Sequence, residues 1–155
     1  MNQVAVCGPA ECTEPERVIA YRVGELLAEA GIVAICGGGS GVMAAVAAGA
    51  RSRDGLVVAV RPDAGRVSSA SVTLSTNLGQ ARNAVIVESA DAVIAVGGSW
   101  GTLSEVALAM RRGVPVVSLG GWRVVDSAGL PVPGVVYVET PEEAVVLASS
   151  GVPRA

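Results

Sequence analysis

Residues 92–105, AVIAVGGSWGTLSE, decide the fold of this chain. The first five are all apolar, as in a parallel strand that is buried on both faces. Gly97, Gly98 and Gly101 follow, and glycines let a ligand approach the bare backbone. A helix is expected to begin at Thr102, and a helix start exposes unpaired N–H groups that suit a phosphate. The stretch therefore predicts a strand, a glycine turn and a helix that together bind a phosphate.

Glu105 permits two interpretations. It is expected in the first turn of the helix, close to whatever the glycines hold. Thr102 and Glu105 also have the spacing of a capping box, in which the glutamate accepts a hydrogen bond from the N–H of the capping residue. The same T-x-x-E pattern occurs without glycines at residues 13–16 and 140–143, where it predicts plain helix starts. A functional role and a capping role for Glu105 therefore both stand.

Strand and helix patterns alternate along the whole chain. The predicted strands are 3–7, 32–36, 56–60, 92–96, 114–119 and 135–138, with 72–74 as an extra strand. The predicted helices are 14–30, 42–50, 78–89, 102–110 and 141–149, followed by a tail at 151–155. This alternation is typical of βαβ units, so we expect one doubly wound Rossmann-like α/β domain over residues 1–155. Its sheet is mainly parallel with helices on both faces, and its ligand crevice lies at the carboxyl ends of the strands.

The composition limits the classes of function. With 155 residues, 51% of them apolar and 16% charged, the chain suits one domain with a real core. Its net charge of −3 argues against a nucleic-acid partner, which needs a basic face. There is no histidine, and all eleven cationic residues are arginine. Pyridoxal phosphate enzymes need a Schiff-base lysine and P-loop NTPases need a Walker A lysine, so both classes are excluded.

The three cysteines are too scattered for a zinc site or a disulfide framework, so no metal site is expected. They are expected to be reduced thiols in a cytoplasmic protein, and no signal peptide is expected because acidic residues occupy the place of its apolar region. Residues 31–50 carry no charge over the length of a membrane span. The glycines within them would open a helix in lipid, so no membrane partner is expected.

A second glycine run, residues 37–41, follows the second predicted strand. The candidate ligand-binding residues at this edge are Gly8, Gly38, Gly39, Ser40 and Gly41. The run fits the dinucleotide pattern G-x-G-x-x-A, with Asp63 or Arg61 beyond the next strand, although that pattern normally follows the first strand. A tight turn with close packing of helix on sheet explains the same glycines.

The segment NLGQARN at residues 77–83 places an arginine near a helix start. Asn77 is expected to cap that helix. Arginine suits bidentate recognition of phosphate or carboxylate, so Arg82 is a candidate anion ligand. A solvated helix arginine and an ion pair with Glu105 are the alternatives.

These motifs resemble the Lonely Guy family, whose members are often labelled lysine decarboxylase-like. The resemblance rests on GGGSGVM at 37–43, RN at 82–83, SAD at 89–91 and GGSWGTLSE at 97–105. It covers roughly residues 4–119. It implies that Arg82 and Glu105 match the family's catalytic pair, and it implies phosphate binding by Gly97, Gly98, Ser99, Trp100, Gly101 and Thr102, with Arg82 and Asn83. The absent lysine contradicts the decarboxylase label.

Four departures from the family pattern bring the chain closer to a short-chain subgroup. Gly97 replaces a proline, Ser99 a glycine and Asn83 a lysine, and the first glycine run is shorter. The subgroup includes molybdenum-cofactor carrier proteins, which share the sequence motifs A-R-N and G-T-L-S-E. Those proteins bind a pterin phosphate and need not catalyse a reaction. The resemblance also implies a homodimer or homotetramer, in line with the few charges on helices 78–89 and 102–110.

The expected function is therefore binding of a phosphate-bearing, nucleotide-type ligand, with two outcomes. As an enzyme, the protein cleaves the N-glycosidic bond of a nucleoside 5′-monophosphate. Glu105 then orients a water or stabilises an oxocarbenium-like ribose, while Arg82 holds the sugar–phosphate. As a non-catalytic carrier or nucleotide sensor, the protein binds the phosphate at the same turn, and Trp100 or Trp122 covers a flat ring. Neither outcome requires a resident cofactor, and the expected bound molecule is a nucleotide or the molybdenum cofactor.

Overall fold

Seven strands form one sheet in the computed structural model, which describes residues 2–150. The strands are β1 (Gln3–Cys7), β2 (Val33–Cys36), β3 (Val57–Arg61), β4 (Val72–Ser75), β5 (Ala92–Val96), β6 (Val116–Leu119) and β7 (Val135–Val138). The helices are α1 (Glu14–Glu29), α2 (Val42–Arg51), α3 (Arg82–Glu88), α4 (Trp100–Arg111) and α5 (Pro141–Ser150). The predicted tail at 151–155 lies outside the described residues.

The sheet has the order β4-β3-β2-β1-β5-β6-β7, and every neighbouring pair is parallel. The chain winds outward from β1 to β4 and then returns to pair β5 with the other side of β1. Strand order therefore reverses between β1 and β5, and a crevice opens there at the carboxyl ends of the strands. The predicted doubly wound fold is confirmed, with a sheet that is parallel throughout.

Two apolar layers flank the sheet, as predicted. Helices α1, α2 and α5 cover one face, where Leu27, Val46 and Ile94 are fully buried. Helices α3 and α4 cover the other face, where Ile86 of α3 and Val106 of α4 are buried. All five residues of β5 are buried, as expected of a strand covered on both faces.

Glycines bring α1 and α2 into close contact. A Cβ atom on Gly49 would lie 1.9 Å from the Tyr21 carbonyl oxygen, and one on Gly24 would lie 2.2 Å from the carbonyl oxygen of Val46. Any side chain at either position would push the helices apart. The small residues of α2 thus allow close packing against α1.

The helix predicted at 78–89 is shorter than expected. A 3-10 turn occupies Gly79–Ala81, and α3 begins only at Arg82. Asn77 adopts a left-handed conformation with φ 52° and caps no helix. The reason is competition for backbone donors, because the Leu78 N–H bonds the Thr76 hydroxyl and the Gly79 N–H bonds the Pro62 carbonyl. The other element boundaries differ from the predictions by one or two residues.

The extra strand predicted at 72–74 is present as β4. None of the helices within residues 2–150 combines the length and the apolar character that crossing a bilayer requires.

Candidate functional site

Three turns line the crevice where strand order reverses: those after β1, after β2 and after β5. Gly8 begins the first of them. A Cβ atom at this position would lie 2.5 Å from the Val96 carbonyl oxygen and 2.6 Å from Val42 Cγ1. Gly8 therefore lets β1, β5 and α2 close together at the base of the crevice.

The β5–α4 turn differs from the prediction at its helix start. Ser99 caps α4 in an extended conformation, and its hydroxyl oxygen accepts the Thr102 N–H at 3.1 Å. The prediction that Thr102 is the cap is wrong, because Ser99 takes its N–H and a 2.9 Å hydrogen bond joins the two hydroxyls. Glu105 consequently lies in the second turn of α4, and the predicted capping box between Thr102 and Glu105 does not form.

The same turn offers a row of free backbone donors. The N–H groups of residues 98–101 have no hydrogen-bond acceptor among residues 2–150. Two of them belong to the first turn of α4, where N–H groups have no intrahelical partner and the helix dipole is positive. Beside Gly101 there is open space, since the nearest atom to an added Cβ is Ser99 Oγ at 3.8 Å. The turn therefore has the properties of an anion site.

Two tryptophans, the chain's only ones, flank this turn. A Cβ atom on Gly98 would lie 2.7 Å from Trp122 Cδ1, so the indole of Trp122 covers that glycine. Trp100 meets Trp122 edge to face, with ring centroids 4.8 Å apart and planes at 78°. Trp100 is 78% exposed. A flat ligand ring therefore finds aromatic surface next to the donor row.

The glycine run after β2 lies beside the first turn. Gly38 and Gly41 have φ values of 70° and 64°, which favour glycine. Ser40 donates its hydroxyl to the Ala10 carbonyl at 3.1 Å and ties the run to the β1 turn. The N–H groups of Gly39 and Ser40 have no acceptor within the described part of the chain.

Arg82 lies under this run. Its Nε donates to the Val60 carbonyl at 2.8 Å, Nη2 to the Gly37 carbonyl at 3.4 Å and Nη1 to Asn83 Oδ1 at 3.3 Å. No carboxylate oxygen of residues 2–150 lies within 4.0 Å of it, so the alternative of an ion pair with Glu105 is wrong. Burial lowers the pKa of Arg82, while the charge of Glu105 opposes that shift. A half-buried guanidinium thus stands in the crevice with no carboxylate of residues 2–150 in direct contact.

Arg61 and Asp63 pair with each other. Arg61 Nε and Nη2 donate to the two Asp63 carboxylate oxygens at 2.9 and 2.6 Å, and Nη1 donates to the Gly38 carbonyl at 2.6 Å. The hydrogen bond from Arg61 is the main cause that lowers the pKa of Asp63 to about 2. The dinucleotide alternative needs one of these side chains for a ribose or a 2′-phosphate, and this pairing occupies both.

Glu105 and Cys7 meet on the α4 side of the crevice. Burial raises the pKa of Glu105 to about 7, while the charge of Arg82 and the neighbouring Cys7 thiol oppose that shift. Burial, and secondly Glu105, raise the pKa of Cys7 well above its usual value. The thiol is therefore a poor nucleophile. Among residues 2–150 no cluster of three or more His, Cys, Asp or Glu could hold a metal ion.

Two further crevice residues are absent from the predicted site residues. Cys7 stands at the carboxyl end of β1, and Glu16 of α1 lies against Gly97. Glu16 also forms the capping box predicted at 13–16. Apart from that capping motif, their sequence signal is proximity to the end of the first strand, which is informative once strand order is known.

Comparison with known proteins agrees with this architecture. The model of the SLOG cluster4 family matches residues 1–145. A protein from Archaeoglobus fulgidus is 48% identical over 147 residues, which cover 94% of this chain and 93% of that protein. The solved molybdenum cofactor binding protein of Rippkaea orientalis is 33% identical, with a TM-score of 0.86 over 96% of each chain. The molybdenum cofactor carrier protein of Chlamydomonas reinhardtii is 28% identical, with a TM-score of 0.83 over 97% of each chain.

A more distant likeness concerns the fold alone. DNA processing protein A from Streptococcus pneumoniae is 19% identical, with a TM-score of 0.73 over 94% of this chain and 61% of that one.

The likeness to molybdenum-cofactor carriers that the sequence predicts is confirmed. Membership of the Lonely Guy family in particular stays a prediction, as does the absence of a nucleic-acid partner.

Proposed function

We propose a function that proceeds from one premise, that this chain belongs to the SLOG cluster4 family. The protein is a non-catalytic carrier that binds a phosphate-bearing ligand with a flat ring. The ligand class is the molybdenum cofactor, a pterin phosphate, which we infer from the similar solved proteins of Rippkaea orientalis and Chlamydomonas reinhardtii. The observation that carries the proposal is the row of free N–H groups at residues 98–101.

The donor row suits the phosphate of such a ligand. Backbone N–H groups at a helix start bind anions without any lysine or histidine, both of which this chain lacks. Arg82 adds a positive charge in the same crevice, and its charge acts on Glu105 of α4. Hydrogen bonds from these groups to a charged phosphate are each worth about 1.5–3 kcal/mol.

The tryptophan pair suits the ring. Trp122 covers Gly98, and Trp100 projects into solvent at the rim. A pterin that enters beside them gains aromatic contact while its phosphate reaches the donor row. These residues hold the organic part of the cofactor, so its metal travels as cargo and needs no ligand cluster from the protein.

Hydrolysis of a nucleoside 5′-monophosphate is the second candidate function. The placement of Glu105 favours it, because a carboxyl with a pKa of about 7 can exchange a proton near neutral pH. This activity requires Glu105→Gln to abolish release of free base while ligand affinity persists. A carrier binds its ligand and releases no base, with or without Glu105.

The primary test is native mass spectrometry of the protein purified from a host that makes molybdenum cofactor, together with elemental analysis for molybdenum. We expect a bound mass that matches a pterin phosphate. Protein that carries no such mass, and that binds no added pterin phosphate, contradicts the proposal.

Gly101 offers a matched pair of variants for the donor row. It is the second residue of α4, the position that Pro15 occupies in α1, so proline is tolerated there. Gly101→Pro removes one N–H and is expected to weaken binding about tenfold, as for the loss of one hydrogen bond to a charged group. Gly101→Ala keeps the N–H and enters open space, so its affinity should match that of the unaltered protein. Equal affinities for both variants would exclude this N–H as a ligand.

A further inference from the structure

The first turn of α1 brings a carboxylate into the crevice. The Thr13 N–H donates to Glu16 Oε2 at 2.9 Å, and the Glu16 N–H donates to Thr13 Oγ1 at 3.3 Å. This reciprocal capping box holds the glutamate side chain in one orientation. It uses only one of the two carboxylate oxygens.

The second oxygen lies against the β5–α4 turn. A Cβ atom on Gly97 would lie 2.6 Å from Glu16 Oε1 and 2.7 Å from Glu16 Cδ. Within residues 2–150, Oε1 accepts no hydrogen bond and Glu16 takes part in no ion pair. A fixed, half-buried acceptor therefore stands at the point where strand order reverses, with its hydrogen-bonding capacity unused.

The capping box of α5 has a different geometry. There, Glu143 Oε2 accepts the N–H groups of both Glu139 and Thr140 at 3.1 Å. That box follows β7, the outermost strand, away from the reversal between β1 and β5. Glu143 is thus a natural control for Glu16, with the same local motif and a different neighbourhood.

The charge of Glu16 constrains what binds beside it. An ionised carboxylate accepts hydrogen bonds and donates none. It also repels a phosphate that lies closer than the Debye length of about 8–10 Å. Gly98 directly follows Gly97, and consecutive Cα atoms are about 3.8 Å apart, so a phosphate held by the Gly98 N–H lies close enough to Glu16 to be repelled. A ligand offsets this repulsion when it presents a donor group to Oε1.

We propose, building on the proposed function, that Glu16 is a specificity-determining residue that accepts a hydrogen bond from an O–H or N–H group next to the ligand's phosphate ester. The donor is a ribose hydroxyl in a nucleotide or a ring N–H in a pterin phosphate. Glu16 thereby favours such esters over inorganic phosphate.

The test is calorimetric titration of the full chain and two variants, Glu16→Gln and Glu143→Gln. The probes are inorganic phosphate, a nucleoside 5′-monophosphate, its 2′,3′-dideoxy analogue and a hydroxymethylpterin phosphate. Glutamine also completes a capping box, so both variants should keep the unfolding midpoint of the unaltered protein.

We expect opposite effects on the two kinds of probe. Glu16→Gln should bind inorganic phosphate more tightly, because the repulsion is gone, and the donor-bearing ester about tenfold more weakly. Glu143→Gln should change neither. A lost preference for the nucleotide over its dideoxy analogue assigns the donor to the ribose, and a loss confined to the pterin phosphate assigns it to the ring.

Two results would overturn the role of Glu16 and leave the proposed function standing. One is equal affinity of Glu16→Gln and the unaltered protein for both kinds of probe. The other is a uniform loss of affinity that includes inorganic phosphate, since it indicates a structural role only. If the unaltered protein binds no phosphate compound at all, the proposed function fails, and the role of Glu16 fails with it.

Discussion

The pH dependence of stability tests how Glu105 is placed. Burial raises the pKa of Glu105 from 4.5 to about 7 in the folded protein. In the unfolded chain the pKa returns to about 4.3, so between these values the folded state holds a proton that the unfolded state has lost. The carboxyl therefore contributes stability that is present below its unfolded pKa and is lost as the pH rises through about 7.

Glu105→Gln removes this dependence by making the group permanently neutral. From the two pKa values, the variant should gain about 2–3 kcal/mol of free energy of unfolding, relative to the unaltered protein, between pH 5 and pH 8. Urea denaturation followed by fluorescence of Trp100 and Trp122 measures this quantity at each pH. The difference between the two proteins cancels all the other titrating groups.

Glu11→Gln is the control, because Glu11 is exposed and forms no hydrogen bond within the described residues. Its difference from the unaltered protein should stay constant between pH 5 and pH 8. The reasoning is refuted when Glu105→Gln behaves like this control, since the Glu105 carboxyl is then solvated and is not buried in the crevice.

Three further predictions concern the ligand, the helix start and the assembly. Arg82→Ala should weaken the binding of a phosphate ligand, measured by calorimetry, by about 1.5–3 kcal/mol. The same change at exposed Arg66 should have no effect, and equal losses for the two variants would exclude Arg82 as a ligand. Ser99→Ala should lower the free energy of unfolding in urea by about 1 kcal/mol through loss of the α4 cap, and an unchanged value would contradict that cap. Light scattering at micromolar concentration should give a dimer or a larger oligomer, and a monomer would remove the expected homo-oligomer.

Most of the fold follows from local sequence patterns. The buried run of β5 and the helical spacing in α1 are encoded within single segments, and alternation of such segments indicates a parallel sheet. The helix starts depend on more than local pattern. Ser99 and Thr102 both have capping chemistry, and Ser99 is the cap because it lies extended immediately before α4, whereas Thr102 already lies inside the helix. Asn77 fails as a cap because its neighbours bond elsewhere.

The residues of the candidate site also divide into those that local sequence indicates and those that depend on the tertiary structure. Arg82 and Glu105 could be named from the sequence because their motifs resemble those of known proteins. Cys7 belongs to no motif, and the T-x-x-E motif of Glu16 indicates only a helix start; both reach the crevice because β1 lies next to β5 in the sheet. That adjacency is a long-range property, which no window of sequence around either residue contains.

The pairing of β1 with β5 also bears on how the protein folds. The Gln3 N–H donates to Asp91 Oδ2 at 2.9 Å across 88 residues of sequence, so this seam closes a very long loop. Contacts of such high sequence separation slow folding. A chain growing from the ribosome has no pocket until α4 has emerged and the two halves of the sheet have docked. Ligand therefore binds only the assembled sheet, and its presence during synthesis should rescue variants that unfold at the seam.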